Sequence, residues 1–137
     1  MDNPFILKTK ADVVNDIAAF GCAELINYTC SCARTMFKPK SRWHCGACSQ
    51  CIDRRIAIIA AGQQDNDLET DYEADVFTGA RKEGYEQNIA VGYVRHALEL
   101  DNFSEDEIYA RFNMELSRAA RDTGCLTKSV MQLIELH

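Results

Sequence analysis

The chain has 137 residues, 47% of them apolar and 26% charged, which is the balance of one folded globular domain and excludes a disordered polymer. The longest apolar run, Ile56 to Ala61, is a third of the ~18 residues that a membrane span needs, so no transmembrane role and no membrane partner is expected. The net charge of −6 conceals an asymmetry: between Cys30 and Arg55, six cations face Asp53 alone, a local +5 that leaves −11 for the rest. An acidic chain of this kind is a poor nonspecific binder of nucleic acid, although its basic segment could meet a phosphate.

Met1-Asp2-Asn3-Pro4-Phe5 carries neither the basic start nor the apolar stretch of a secretory signal, which predicts a cytoplasmic chain with seven reduced cysteines. Pro4 to Leu7 reads as a short strand or loop. A capping-box-like start at Thr9 then leads into a helix whose apolar positions are Val13, Val14, Ile17, Ala18 and Phe20, with Gly21 as its left-handed stop. From Tyr28 to Gln50 the periodicity vanishes while four cysteines accumulate, so something other than an apolar core must order this stretch. Ser49 is the predicted cap of a second helix with Ile52, Ile56, Ile58, Ile59 and Ala60 on its apolar side, Arg54 and Arg55 pointing elsewhere, and Gly62 as its end. The acidic run Gln63–Asp75 reads as a solvated loop, since it lacks the ligand order of a calcium loop.

The remainder is predicted helical. One segment runs from about Glu83 to Asp101 with Ile89, Val91, Val94, Ala97, Leu98 and Leu100. A second opens on the capping box Ser104 to Glu107, carries Ile108, Phe112, Leu116 and Ala119, and closes at Gly124. A last helix is predicted from Thr127, with Val130, Leu133, Ile134 and Leu136 on its buried side. The expected fold class is mainly α, a helical domain with a cysteine-rich zinc knuckle. Three stretches are expected, 1–29, 30–62 and 63–137, the last packed as one domain.

Cys45, Cys48 and Cys51 stand at two-residue spacings, and Cys32 precedes Cys45 by twelve intervening residues, with Cys30 as its competitor. Four thiolates make a closed tetrahedral zinc site, in which the zinc is structural, and the backbone freedom of Gly46 suits the turn. The resulting net charge of −2 would be offset by the surrounding Lys and Arg. An iron–sulfur reading is weakened because the ferredoxin run needs a further Cys where Arg55 stands. His44 could compete as a ligand, and Trp43 is expected to pack over the knuckle. Cys22 and Cys125 read as small buried thiols, and His96 as an ordinary helical histidine.

Ser31-Cys32, His44-Cys45-Gly46-x-Cys48-x-x-Cys51, Arg54-Arg55 and the opening Pro4-x-x-x-x-Thr9-Lys10-x-x-Val13 together resemble the zinc-binding region of the 7-cyano-7-deazaguanine synthases, over roughly residues 4–62. That family belongs to the ATP-pyrophosphatase group and converts a deazapurine carboxyl, through its adenylate, to an amide and then a nitrile, a ligase chemistry of queuosine biosynthesis. The resemblance implies zinc on Cys32, Cys45, Cys48 and Cys51, and makes Lys10, Arg54 and Arg55 the cations nearest the family's motifs that could bind a substrate phosphate or carboxylate. Pairing of these cations with the acidic loop 65–75 is an equal alternative. The family's Ser-Gly-Gly-x-Asp-Ser phosphate loop has no match in the 137 residues, so ATP is expected only with a missing amino-terminal α/β part of the same protein, and Met1 is expected to fall inside a longer sequence. Self-association stays open. The helical tail after Gly62 is longer than expected of a biosynthetic enzyme and points to a divergent relative, such as those of phage-defence gene clusters. The rival reading is a stand-alone zinc-ordered interaction module whose basic knuckle, with Lys38, Lys40 and Arg42, contacts nucleic acid or a protein.

Overall fold

The structure, a computed structural model, describes residues 3–34, 42–125 and 129–130. Among the described residues the chain forms the α-helices α1 (Lys10–Ala19), α2 (Ser49–Ala60), α3 (Tyr85–Asp101) and α4 (Glu105–Thr123). Short 3-10 helices lie at Ala23–Tyr28, Gln64–Asn66 and Glu69–Asp71. Among the described residues the sole β-type pairing outside these helices is an isolated parallel bridge between His44 and Tyr72. The chain is therefore mainly α, and it divides into two compact units, Lys10–Gly92 and Met1–Thr9 with Tyr93–His137.

In the first unit, α1 packs on α2 and on the 3-10 helix that follows it. Their meeting point is a small apolar cluster of Val14, Ile26 and Ile58, flanked by Ile17 and Ala61. Both helices stop by the same device. Gly21 (φ +73°) and Gly62 (φ +65°) take left-handed backbone. The following amides, Cys22 to Ile17 O and Gln63 to Ile58 O, satisfy carbonyls that the last turn would leave bare. Pro4–Leu7 forms turns rather than a strand. Phe20 is exposed, because it lies beyond the last residue of α1 and the helical period no longer sets its direction.

Three expectations for residues 49–75 need correction. The cap of α2 is Cys48, whose backbone is still extended (φ −86°, ψ 159°), while Ser49 is already the first helical residue. The buried face of α2 holds Cys51, Ile52, Arg54, Arg55, Ala57 and Ile58, whereas Ile56 and Ile59 are exposed. The two arginines thus point inward, drawn by a carboxylate that lies inside as well: Asp67 of the acidic run is buried rather than solvated.

In the second unit, α4 begins with a complete capping box, the Ser104 side chain accepting from the Glu107 amide while the Glu107 carboxylate accepts from the Ser104 amide. It buries Ile108, Leu116 and Ala120, bends at Phe112 (φ −116°, ψ 18°) and ends at left-handed Gly124. Arg111 lies over the rings of Phe103 and Phe112 and pairs with Glu99 at 3.7 Å. The apolar stripe predicted on α3 is helical as expected, yet Val91, Val94 and Leu98 are exposed, as is His96; the period sets a face but not what covers it. The helix predicted from Thr127 lies outside the described residues apart from residues 129–130.

Candidate metal centre

Three of the four clustered cysteines come from one short stretch. A bend at Trp43 and the bridge at His44 lead into a tight turn, Cys45 to Cys48, and α2 starts at once, so that Cys51 returns one helical turn above Cys48. Gly46 makes the turn feasible. Its φ is +75°, and a Cβ there would overlap the carbonyl oxygen of Ala74, so both conformation and space require glycine. The fourth thiol, Cys32, arrives from the loop after the first 3-10 helix, where the Arg34 amide donates to its sulfur at 3.4 Å.

The sulfurs of Cys32, Cys45, Cys48 and Cys51 are all buried and lie within 4.8 Å of one another. Cys48 and Cys51 are separated by 3.5 Å, Cys45 and Cys51 by 3.9 Å. A tetrahedral four-sulfur metal site with bonds of about 2.3 Å puts its sulfurs about 3.8 Å apart, so the donor set fits one thiolate-loving ion. Cys30, the competitor for the fourth place, is exposed outside the cluster, where its thiol donates to the Trp43 carbonyl at 3.4 Å. His44 is also outside the four-donor group; its buried ring stacks at a tilt on Tyr72, with centroids 4.7 Å apart. Trp43 does not cover the knuckle but projects into solvent, 60% exposed, at a bend in the chain, while His44 beside it is buried.

Crowding separates the thiols electrically. Burial, with the neighbouring thiols, drives the Cys51 pKa far up, and burial raises that of Cys45. Burial acts against ionisation of Cys48 too, but the backbone amides of Ala33 and Cys51 and the adjacent sulfurs outweigh it and bring the pKa down to about 7. A cation in the cage reverses the order of preference, since metal binding deprotonates each ligand. Positive charge stands ready beside it in Arg34, which is held by Glu86 at 2.8 Å and feels the sulfurs of Cys45 and Cys48. Glu86, buried in the first turn of α3, also accepts from the Lys82 amide at 2.9 Å, and these bonds, the amide's first, lower its pKa.

Arg54 and Arg55 meet at Asp67. Arg54 Nε donates to Asp67 Oδ1 at 2.9 Å, and its terminal nitrogens donate to Thr29 Oγ1 at 2.5 Å and Ile26 O at 2.8 Å. Arg55 donates to Asp67 Oδ2 at 3.0 Å, to the Asp67 carbonyl at 2.6 Å and to the exposed Glu69 carboxylate at 3.0 Å. The Tyr72 hydroxyl completes the node, donating to Asp67 Oδ2 at 2.8 Å; burial first and the carboxylate second raise its pKa. Of the two roles open to these arginines in the sequence, pairing with the acidic loop is the one their geometry displays. Lys10 stands apart from the node and faces Asp53 at 3.6 Å, both side chains about a third exposed (38% and 35%). The signal for the buried arginines was available in the helix period: Cys51, Arg54, Arg55 and Ile58 share one face at i, i+3, i+4 and i+7.

No family model matches the chain, and no solved structure matches it. Two curated proteins do, the 7-cyano-7-deazaguanine synthases of Allorhizobium ampelinum, 36% identical over 83 residues, and Rhizobium rhizogenes, 34% identical over 82. The matches take in 61% and 60% of this chain but only 31% and 30% of those relatives, so the chain spans less than a third of their length. With the four-cysteine cluster in place, they make the chain 7-cyano-7-deazaguanine synthase-like over 61% of its length.

Proposed function

We propose that this chain is the zinc-stabilised portion of a 7-cyano-7-deazaguanine synthase-like, ATP-dependent ligase acting on a deazapurine. Cys32, Cys45, Cys48 and Cys51 would hold the ion. The observation that carries this reading is the closed set of four buried sulfurs within 4.8 Å of one another. Four protein donors leave no position for water or substrate, which favours a structural role, and thiolates favour zinc in a reducing cytosol. Such a site contributes on the order of 10 kcal/mol of folding free energy, an amount that a three-residue apolar cluster does not match.

In this reading ATP is bound by a phosphate loop supplied from outside the 137 residues. Arg54 and Arg55 hold the fold together at Asp67, and Lys10, half-exposed, keeps reach to a substrate phosphate or carboxylate. The test is elemental analysis of protein purified without air, followed by replacement with cobalt. One zinc per chain and a four-thiolate cobalt spectrum are expected. A visible iron–sulfur chromophore, or no bound metal, overturns the reading. For the enzymatic half, translation of the genomic sequence upstream of Met1 is expected to reveal Ser-Gly-Gly-x-Asp-Ser in frame, and a stop codon there overturns it.

A further inference from the structure

Residues 71–81 lie on the cysteine turn with little apolar burial to hold them there. Of this segment only Tyr72 and Val76 are buried. Its attachments are hydrogen bonds to the turn's own backbone: the His44 amide donates to Asp71 O at 3.0 Å and the Glu73 amide to His44 O at 2.8 Å. Arg42 donates to the carbonyls of Tyr72 and Glu73 at 2.8 and 3.1 Å. From the far end Arg81 clamps the turn, donating to Ala47 O at 3.1 Å and to Val76 O at 2.5 Å. Between these bonds Ala74 abuts Gly46 so closely that no Cβ fits. The surface that receives the segment is thus the conformation of residues 42–48, and that conformation positions Cys45 and Cys48.

We infer that residues 73–81 form a metal-dependent strap, which docks on the cysteine turn when the four thiolates hold an ion and, once docked, closes the site. This rests on the metal reading above. Without a cation nothing draws four crowded thiols together, and the turn is free to open; with it open, the hydrogen bonds at His44, Ala47 and Glu73 have no fixed partner. The anchor at the other side is independent of the metal, because Asp67 binds Arg54 and Arg55 on α2. Arg55 also holds Glu69, and Asp67 also accepts from the Tyr72 hydroxyl, so loss of the ion frees the strap from a hinge at Tyr72 rather than detaching the whole acidic segment. Linkage makes the effect reciprocal: what loosens the docked strap weakens metal binding by the same factor.

Hydrogen exchange of the full chain, loaded with zinc and then titrated with chelator, reads the strap directly. The His44 and Glu73 amides are expected to lose protection at chelator levels that leave the interior amides of α2 protected. Unchanged protection at His44 and Glu73 after verified metal removal overturns the inference. Two variants keep the test decisive if chelation unfolds the chain at once. Arg81→Gln and the milder Arg42→Gln remove strap contacts and touch no sulfur; each is expected to retain the four-thiolate cobalt spectrum, to speed exchange at Glu73, and to lower metal affinity by roughly 10-fold in chelator competition. Faster exchange with unchanged affinity overturns the strap and leaves the metal reading standing. Absence of a four-thiolate spectrum in the unaltered protein removes the metal reading, and the strap with it.

Discussion

Arg54 and Asp67, thirteen residues apart in sequence, meet in a buried ion pair at 2.9 Å, and the same carboxylate takes Arg55 on its other oxygen at 3.0 Å. Two guanidinium groups therefore share one anion that solvent does not reach. Asp67→Ala leaves Arg54 without an anion and Arg55 with only the exposed Glu69, and breaking a buried pair in this way costs about 3–5 kcal/mol. The exposed neighbour Asp65 supplies the control, since Asp65→Ala is expected to stay within about 0.5 kcal/mol. Urea denaturation of the metal-loaded proteins measures both, and equal midpoints for the two variants would refute the asymmetry.

Cys32 and Cys30 differ by two positions and by location, one buried in the cluster and one exposed beside Trp43. Cys32→Ser is expected to weaken metal binding beyond the roughly 10- to 100-fold typical of losing a supporting contact, and to reduce the sulfur count in the cobalt spectrum. Cys30→Ser should leave affinity and spectrum as they were. The reverse result would exchange the two residues' roles.

Gly46 and Gly62 share left-handed backbone, φ +75° and +65°, but only Gly46 has a neighbour where its Cβ would stand. Gly62→Ala should cost the backbone penalty alone, roughly 1–2 kcal/mol. Gly46→Ala adds overlap with Ala74 and is expected to lose clearly more in thermal denaturation. Matching losses would mean that the segment at Ala74 does not press on the turn.

Hydrogen bonds from Ser104, the backbone amide first and the hydroxyl second, hold the Glu107 carboxyl below its ordinary value of 4.5. A carboxylate stabilised in the fold supports it above the unfolded pKa and ceases to do so as pH falls through the lowered folded value. The start of α4 should accordingly fray on acidification from about pH 4.5 downward. Carbon-detected NMR titration is expected to place Glu107 below 4.5, and Ser104→Ala should return it to the ordinary range. A titration unaffected by that substitution would disprove the cap's role.

What could be read in advance follows a physical divide. Gly21, Gly62 and Gly124 end helices through local backbone geometry, and Ser104 with Glu107 begins one the same way, so four residues of context suffice to find them. The spacing of Cys45, Cys48 and Cys51 is equally local. Asp67 is not: six acids lie between Asp65 and Asp75, and nothing near Asp67 in sequence distinguishes it from Asp65. Its burial is decided by Arg54 and Arg55 from another element. Arg54, expected to point away from the apolar side of α2, follows instead the helix period it shares with Cys51 and Ile58. Trp43, expected over the knuckle from its place beside His44, stands at a bend and is exposed.

Helix α2 carries Cys51 for the sulfur cage, Arg54 and Arg55 for the Asp67 node and Ile58 for the apolar cluster, all on one side of less than three turns. It works as a ruler with three marks. One residue inserted between Cys51 and Arg54 would rotate everything beyond it by about 100°, so that cage and node could not both be served. Divergence of this chain should therefore proceed by exchange of side chains on the outer face, at Ile56 or Ile59, while the length of the stretch from Cys45 to Gly62 stays constant.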